Sequence, residues 1–394
     1  MKHWTAMLLT LALALSLTAC GSEPQEPVTQ ATPDAEEPEV RVVTDVFGRE
    51  VEIPAEVETI VCLGSAAPRY AAYLDVMDMV VGAEEHDQKE LNVRRDYNPV
   101  YFEQFQTLPI VGAGGGSGQN NGYPEELITL APDVILAGFD PEPADELQRQ
   151  TGIPVVSIRN RDNGFIDENF NNALEVFAEV VGAEERCQEV LDFVADTKQD
   201  LWDRTKDIPE ADKPRAYTGA VTFNGRHGFA GTYVNFGPFL GVNALNVADE
   251  LARQQVGDAA DAAAESGTAY LGNNGLDVDL EQIVAWDPDV IFLDPGNMDL
   301  VNDEYANNPA YFDSLRAVQN GQVYTMPALN NCGPNFTYAL IDAYFAGMTL
   351  YPEQFSDVNL EEKAGEILEF MLGENTFDQM AEGGLYYGPI TLGA

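Results

Sequence analysis

Three arginines directly follow short β-rich segments of this 394-residue chain, where a side chain could bind an anion. They are Arg69, Arg159 and Arg226, and His227 follows the last of them. A guanidinium presents a planar fork of N–H donors that matches the oxygens of a carboxylate or another oxyanion. Cations are scarce, with 20 Lys and Arg against 66 Asp and Glu. The alternative for each arginine is an ion pair with a nearby carboxylate.

Neutral polar side chains accompany these arginines. Tyrosines offer phenol donors and flat contact area, although a single tyrosine is more often a packing residue. An asparagine at Asn330 follows another predicted strand. The expected ligand-binding residues are therefore Arg69, Tyr70, Arg159, Arg226, His227, Tyr233 and Asn330.

The same residues argue against metal or nucleophile chemistry. His86 and His227 are the histidines outside the N-terminal leader, and no CxxC or Cys/His cluster is present. A site for free zinc or manganese is therefore not expected. One histidine could serve as an axial ligand to a metal in a macrocycle, but a hydrogen-bonded loop histidine is the commoner case. We expect no catalytic residue, no metal site and no cofactor.

The glycine-rich loop at 112–118 matches neither a phosphate-binding motif nor a nucleophile motif. No Lys-Ser or Lys-Thr follows it, and its spacing does not give GxGxxG before a helix. Ser117 is not in a GxSxG elbow, because Gln119 stands two positions later. We interpret the loop as a flexible rim whose backbone amides can approach a ligand.

The elements that must position these residues alternate between strand and helix. Short apolar runs recur at 57–63, 79–82, 134–137 and 153–158, with helical patterns between them. This alternation predicts an α/β fold with parallel strands and crossover helices. Ligands bind outside the carboxyl ends of such strands. The candidate segments are 64–70, 112–123, 139–140, 159–161, 224–227, 294–298 and 329–331.

An internal repeat indicates that the α/β unit occurs twice. The segment 125–136 resembles 281–292, and each reads as a helix stopped by proline, at Pro132 and Pro288, and then a buried strand. The spacing is too long for a solenoid and fits two similar lobes. Between them, 169–205 is the longest helical stretch, and Gly182 is expected to divide it into a short helix and a long one. The long part would reach about 35 Å, as a strut between two lobes.

The N-terminus reads as an export leader. Lys2 precedes an apolar run that is too short to span a bilayer and ends in Leu-Thr-Ala before Cys20. These residues resemble the lipobox of bacterial lipoproteins, which predicts lipidation of Cys20; an ordinary signal peptide with an incidental cysteine is the alternative. The formal charge of −46 argues against a nucleic-acid partner. We predict a signal peptide at 1–19, a tether at 20–39, an N-terminal α/β lobe at 40–166, a helical connector at 167–209 and a C-terminal α/β lobe at 210–394.

Several segments together resemble one known family. The run 44–54 looks like its opening hairpin, and 59–63, 80–82, the two Pro-Asp-Val-Ile units, 319–324 and 350–355 also match family positions in order. The chain is therefore identified as similar to the class III periplasmic binding proteins, which serve ABC importers of ferric siderophores, haem and cobalamin. The resemblance covers nearly all of the chain beyond the leader.

The resemblance implies two Rossmann-like lobes with parallel sheets joined by a single long α-helix, with a ligand held between them and limited closure. It implies an ABC permease and its ATPase as partners, a small-molecule metal complex as ligand, and a monomer lipid-anchored on the extracytoplasmic face of the cell membrane. By position, Glu125 and Glu281 look like the family's permease-docking glutamates, with Glu126 as a competing choice.

One departure from the family bears on the ligand. Family members commonly carry a glutamate near the start of the helix after the first strand, whereas this chain has Arg69 there. An arginine favours an anionic ligand such as a ferric siderophore. Cobalamin, haem, another metal complex and an oxyanion stay open, and a chelatase-like enzyme is the competing function.

Overall fold

The structure is a computed structural model that describes residues 39–64, 67–115, 119–159, 165–223, 225–251, 275–327 and 329–393. The predicted signal peptide, Cys20 and nearly all of the tether lie outside these residues. From Glu39 onward the chain forms one compact unit. Within the described ranges, no helix combines the length and apolar character that crossing a membrane requires.

The N-terminal lobe begins with the predicted hairpin, in which β1 (Val40–Thr44) pairs antiparallel with β2 (Glu50–Pro54). Its sheet has the order β5-β4-β3-β6-β7, and every described pairing in it is parallel. The strands are β3 (Ile60–Leu63), β4 (Val80–Glu84), β5 (Ile110–Gly112), β6 (Val134–Ala137) and β7 (Val155–Ser157). The helices of this lobe are α1 (Ala67–Tyr73), α2 (Glu85–Gln88), α3 (Asn98–Phe105), α4 (Pro124–Leu130) and α5 (Pro141–Thr151).

The C-terminal lobe repeats this plan with one difference. Its described strands are ordered β10-β8-β12-β13-β14, and β14 pairs antiparallel with β13, so this sheet is mixed rather than wholly parallel as predicted. The strands are β8 (Arg215–Gly219), β10 (Leu245–Asn246), β12 (Val290–Leu293), β13 (Val323–Thr325) and β14 (Gly388–Pro389). A separate antiparallel pair joins β9 (Gly231–Tyr233) to β11 (Gly275–Asp277).

Eight α-helices are described in the C-terminal lobe. Every residue of β3, β6 and β12 is buried, as expected for parallel strands packed on both faces. The helices are α8 (Gly237–Gly241), α9 (Leu280–Trp286), α10 (Met298–Asn307), α11 (Pro309–Phe312), α12 (Arg316–Gln319), α13 (Phe336–Leu350), α14 (Leu360–Leu372) and α15 (Phe377–Glu382).

The connector divides as the sequence predicts. Helix α6 (Glu168–Val181) ends at Gly182, whose φ of 73° is a left-handed value that glycine adopts without a steric penalty. Helix α7 (Glu184–Thr205) follows; its 22 residues give a length of about 33 Å. A second link between the lobes was not foreseen, since the start of α13 contacts residues 93–96 of the first lobe.

Candidate ligand-binding site

Loops beyond the carboxyl ends of the parallel strands contact each other between the lobes, and the space at this contact is called the crevice below. In the second sheet the strand order reverses between β8 and β12, and in the first between β3 and β6. Such switch points are where open α/β sheets bind ligands. Thr222 follows β8, and Asp294 follows β12, so both side chains lie at the second switch point.

Two arginines from different lobes converge on the loop after β12. Arg94 of the first lobe donates to Asp294 Oδ2 at 2.9 Å and to Asn297 Oδ1 at 3.3 Å. Arg226 of the second lobe donates to the same Asn297 Oδ1 at 2.8 Å and to Gly296 O at 3.0 Å. Arg226 also pairs with the exposed Asp299. Because both guanidiniums share neutral acceptors, their positive charges lie close together at the crevice.

Gly296 makes this approach possible. A Cβ on Gly296 would lie 2.4 Å from Arg94 Nη2 and 2.5 Å from its Cζ, well inside van der Waals contact. The Arg94 guanidinium therefore lies directly against the loop backbone, where any other residue would displace it.

Thr222 connects three of the predicted site residues of the second lobe. Its carbonyl oxygen accepts from Tyr233 OH at 2.5 Å and from Asn330 Nδ2 at 3.4 Å. Its Oγ1 accepts from Asn297 Nδ2 at 2.9 Å. Tyr233 and Asn330 therefore support the loop that carries Arg226, and the structure brings these three predicted residues together.

Arg69 lies deeper, in a fully buried network between the lobes. Its Nε donates to Asp96 Oδ1 at 2.6 Å, and its Nη2 donates to Asn335 Oδ1 at 2.6 Å. Asp96 also accepts from Tyr73 OH and from Thr337 Oγ1. The carboxylate alternative considered for Arg69 is therefore realised, with Asp96 as the partner.

Several buried polar atoms around this network have no hydrogen-bond partner among the described residues. They include the donors Arg69 Nη1 and Arg95 Nε and the ring nitrogen His86 Nε2 of the first lobe, and the acceptor Asn331 Oδ1 of the second. Burial lowers the pKa of His86, and Arg95 lowers it further, so both effects favour the neutral ring. Buried donors left unpaired are costly unless a ligand satisfies them. This arrangement can bind the oxygens of an anion.

A buried glutamate lies beside this region. Glu84 ends β4 and accepts a hydrogen bond from Gly64 N at 2.9 Å. Burial raises the pKa of Glu84 to about 8, even though the Gly64 N–H favours the ionised form. Glu84 is therefore largely protonated at neutral pH and adds little negative charge to the crevice.

The other three predicted ligand-binding residues, Tyr70, Arg159 and His227, are engaged in other contacts. Tyr70 lies in the core, 1% exposed, with its ring stacked near Phe170 and Phe177, which is a packing position. Arg159 follows β7, which lies at the edge of the first sheet, and forms an ion pair with Asp140. His227 is a hydrogen-bonded loop histidine: its Nδ1 faces Asp277 Oδ1 at 3.0 Å and its Nε2 faces Phe223 O at 2.8 Å.

No group of three or more His, Cys, Asp or Glu side chains within the described ranges is arranged to hold a metal ion. Cys62 and Cys187 are buried free cysteines, whereas Cys332 is only half-buried. Burial raises the pKa of the Cys332 thiol, while Arg95 and Arg69 lower it.

Residues 94–96 and Asn335 carry much of this geometry and were not singled out from the sequence. The adjacent Arg94 and Arg95 offered a signal, since paired cations are unusual in so acidic a chain. Their loop follows the short helix α2 and not a strand. A search for ligand-binding residues directly after the strands therefore did not include them. Asn335 offered no signal, because its partners lie in the other lobe.

The predicted docking glutamates occupy equivalent positions. Glu125 and Glu281 lie in the first turns of α4 and α9, and both are exposed. Three residues later on the same helix faces, Ile128 and Val284 are 52% and 43% exposed. Each lobe thus presents a carboxylate and an apolar side chain together.

A cavity of about 730 Å³ beside the connector was not foreseen. Its lining comes from residues 165–167, α6, α7 and residues 240–244, and it includes Lys198, Trp202 and Leu240. It does not include the convergent arginines.

Comparison with known proteins decides the family. A model of the periplasmic binding protein family matches residues 60–329, which contain most strands of both sheets. The chain belongs to the periplasmic binding protein family. This confirms the family and the fold predicted from the sequence.

Relatives of this periplasmic binding protein are distant but cover most of it. The molybdate-binding protein MolA of Haemophilus influenzae is 24% identical over 353 residues, 83% of this chain and 89% of that one. MolA bound to molybdate has a TM-score of 0.60 at 21% identity, covering 89% of this chain and 100% of MolA. A periplasmic solute binding protein from Veillonella parvula has a TM-score of 0.63 at 18% identity, covering 88% of this chain and 97% of that one.

Proposed function

We propose that this protein is the extracytoplasmic solute-binding component of an ABC importer and that it captures an anionic metal complex or oxyanion in the crevice. The observation that carries the proposal is the convergence of Arg94 and Arg226 from the two lobes on one loop at a strand-order switch point. Two neighbouring guanidiniums offer forks of N–H donors to one anion.

Two ligand classes fit this site. A compact oxyanion is favoured by the short reach between Arg94 and Arg226 and by the likeness to a molybdate-binding relative. An iron complex of the ferric siderophore type, the ligand expected from the sequence, remains the second candidate. Haem, an alternative left open by the sequence, has the support of a likeness to the periplasmic haem-binding protein HutB of Vibrio cholerae, with a TM-score of 0.51 at 17% identity.

The rest of the proposal concerns partners and place. The protein delivers its ligand to a membrane permease with an ATPase, with Glu125 and Glu281 as docking residues. It acts as a monomer, held to the outer face of the cell membrane through lipid on Cys20. As the sequence led us to expect, we propose that it performs no bond chemistry and uses no cofactor.

Calorimetric titration with molybdate, tungstate, ferric citrate, haem and cobalamin tests the proposal. We expect Arg94→Gln and Arg226→Gln each to weaken binding about tenfold, since each removes a charged donor. Arg149→Gln is the matched control, because Arg149 is exposed on α5 and its ion-pair distance is 3.9 Å. If the wild-type chain binds none of these compounds, or all three variants bind alike, the proposal is contradicted.

A further inference from the structure

Asp294 places a buried carboxylate at the point where an anionic ligand is expected. It follows β12 directly at the switch point and is 3% exposed. A negative charge inside an anion-binding crevice opposes ligand binding unless it has a role there.

The partners of Asp294 are of the kinds that an oxyanion needs. Its Oδ2 accepts from Arg94 Nη2 at 2.9 Å and from Thr222 Oγ1 at 3.4 Å. Its Oδ1 accepts from the backbone N–H of Gly296 at 2.9 Å. A guanidinium, a hydroxyl and a backbone amide are thus already arranged around one carboxylate.

We propose that Asp294 is a resident anion that occupies, on Arg94, the place of an oxyanion group of the ligand. Binding then exchanges one anionic partner of Arg94 for another. The inference rests on the proposed function and adds a specificity determinant to it. Because the ligand must outcompete a tethered carboxylate, the site selects compounds with a strongly anionic oxygen group, either a free oxyanion or a group on a chelate.

The exchange requires movement of a side chain and not of a lobe. The backbone of Arg94 is held to the second lobe, because its carbonyl oxygen accepts from Asn335 Nδ2 at 2.9 Å. The Arg94 side chain itself is 23% exposed. The guanidinium can therefore turn from Asp294 toward a ligand while the contacts around Asn335 stay in place.

The test compares Asp294→Asn with the wild-type chain by calorimetry, with molybdate, sulfate and ferric citrate as probes. Asparagine keeps the shape and the acceptor for Gly296 N but removes the charge. We expect molybdate or ferric citrate to bind about tenfold more tightly, as expected when a competing charge is removed beside a guanidinium. Tightening for molybdate alone indicates a free oxyanion, and tightening for ferric citrate alone indicates a chelate.

A matched control separates this effect from net charge. Asp303 is an exposed carboxylate on α10, and Asp303→Asn removes the same charge at the surface. We expect its affinities to stay within about twofold of the wild-type values, since exposed charges are screened. Equal tightening in Asp303→Asn, or unchanged or weaker binding in Asp294→Asn, overturns the inference.

The interaction between Arg94 and Asp294 can also be measured without a ligand. Urea unfolding of Arg94→Gln, Asp294→Asn and the double variant gives the coupling between the two side chains. Additive effects overturn the inference, whatever the ligand. If the wild-type chain binds none of the compounds in either titration, the proposed function fails. The inference fails separately if Asp294→Asn binds neither molybdate nor ferric citrate more tightly than the wild-type chain.

Discussion

Asp133 and Asp289, one in each lobe, make the same contact at the same place. Asp133 Oδ2 accepts from Thr59 N at 2.8 Å just before β3, and Asp289 Oδ2 accepts from Arg215 N at 2.9 Å at the start of β8. Each aspartate directly follows the proline at the end of a helix. The residue before that proline has a left-handed φ, 52° at Ala131 and 44° at Asp287. The repeated sequence therefore forms the same side-chain-to-backbone hydrogen bond in both lobes.

We predict that these two aspartates stabilise their lobes independently. Asp133→Ala and Asp289→Ala should each lower the free energy of unfolding by about 1–3 kcal/mol, because a backbone N–H loses its acceptor. The two losses should add to within about 0.5 kcal/mol, since the sites lie in different sheets. Urea denaturation followed by circular dichroism measures both, with the exposed Asp378→Ala as control. A strongly non-additive double variant would contradict the prediction.

Glu84 should make stability fall as pH rises. Its pKa is about 8 in the folded chain against a usual value of 4.5, so between these values the folded state holds a proton that the unfolded state has lost. The free energy of unfolding then decreases with increasing pH in that window. Glu84→Gln cannot ionise, and we expect it to be more stable than wild type by about 4–5 kcal/mol near pH 8.5, with the difference vanishing below pH 4.5.

Urea midpoints across this pH range measure the Glu84 effect. The exposed Glu52→Gln on β2 serves as a control that should follow the wild-type curve. Parallel curves for wild type and Glu84→Gln would show that Glu84 is ionised in the folded chain.

Asn335 should be a large contributor to the link between the lobes. Its side chain accepts from Arg69 Nη2 and from Asp96 N and donates to Arg94 O, all in a buried setting. Asn335→Ala leaves a buried guanidinium short of an acceptor, so we expect a loss of about 3 kcal/mol. Tyr338→Phe removes one bond to Val93 O and should cost about 1 kcal/mol.

Thermal and urea unfolding distinguish these two variants. Hydrogen exchange of residues 92–98 should also rise more in Asn335→Ala than in Tyr338→Phe, because the first change frees the whole segment. Equal effects of the two substitutions would argue that Asn335 holds no special place in the interface.

Glu125 and Glu281 should affect transport without affecting capture. We expect Glu125→Lys and Glu281→Lys each to weaken binding to the permease complex, and the double variant to weaken it further, because both lobes present equivalent carboxylates. Ligand affinity should stay unchanged. Surface plasmon resonance on permease in nanodiscs measures the first quantity, and calorimetry measures the second. Glu361→Lys, in the exposed first turn of α14, is the matched control; a loss equal to that of Glu125→Lys would contradict specific docking.

Local signals made most of the architecture predictable. Gly182 ends α6 because only a residue without Cβ takes its left-handed conformation freely, and Pro132 and Pro288 mark where the repeated helices stop. These effects act within a few residues, so they can be read from the chain. The antiparallel β14 was missed because its two residues carry no pattern and pair only through the fold.

The sequence by itself determined the family, the two α/β lobes, the divided connector and the position of the Arg226 loop at a strand end. Only the tertiary structure decided that Arg69 is neutralised by Asp96, that Tyr70 packs in the core and that Arg94 meets Asp294 across the lobes. Strand and helix periodicity is local, whereas the partner of a charged side chain depends on which distant segments come within about 3 Å of it. In a chain with 66 acidic residues, composition leaves that choice open, and packing makes it.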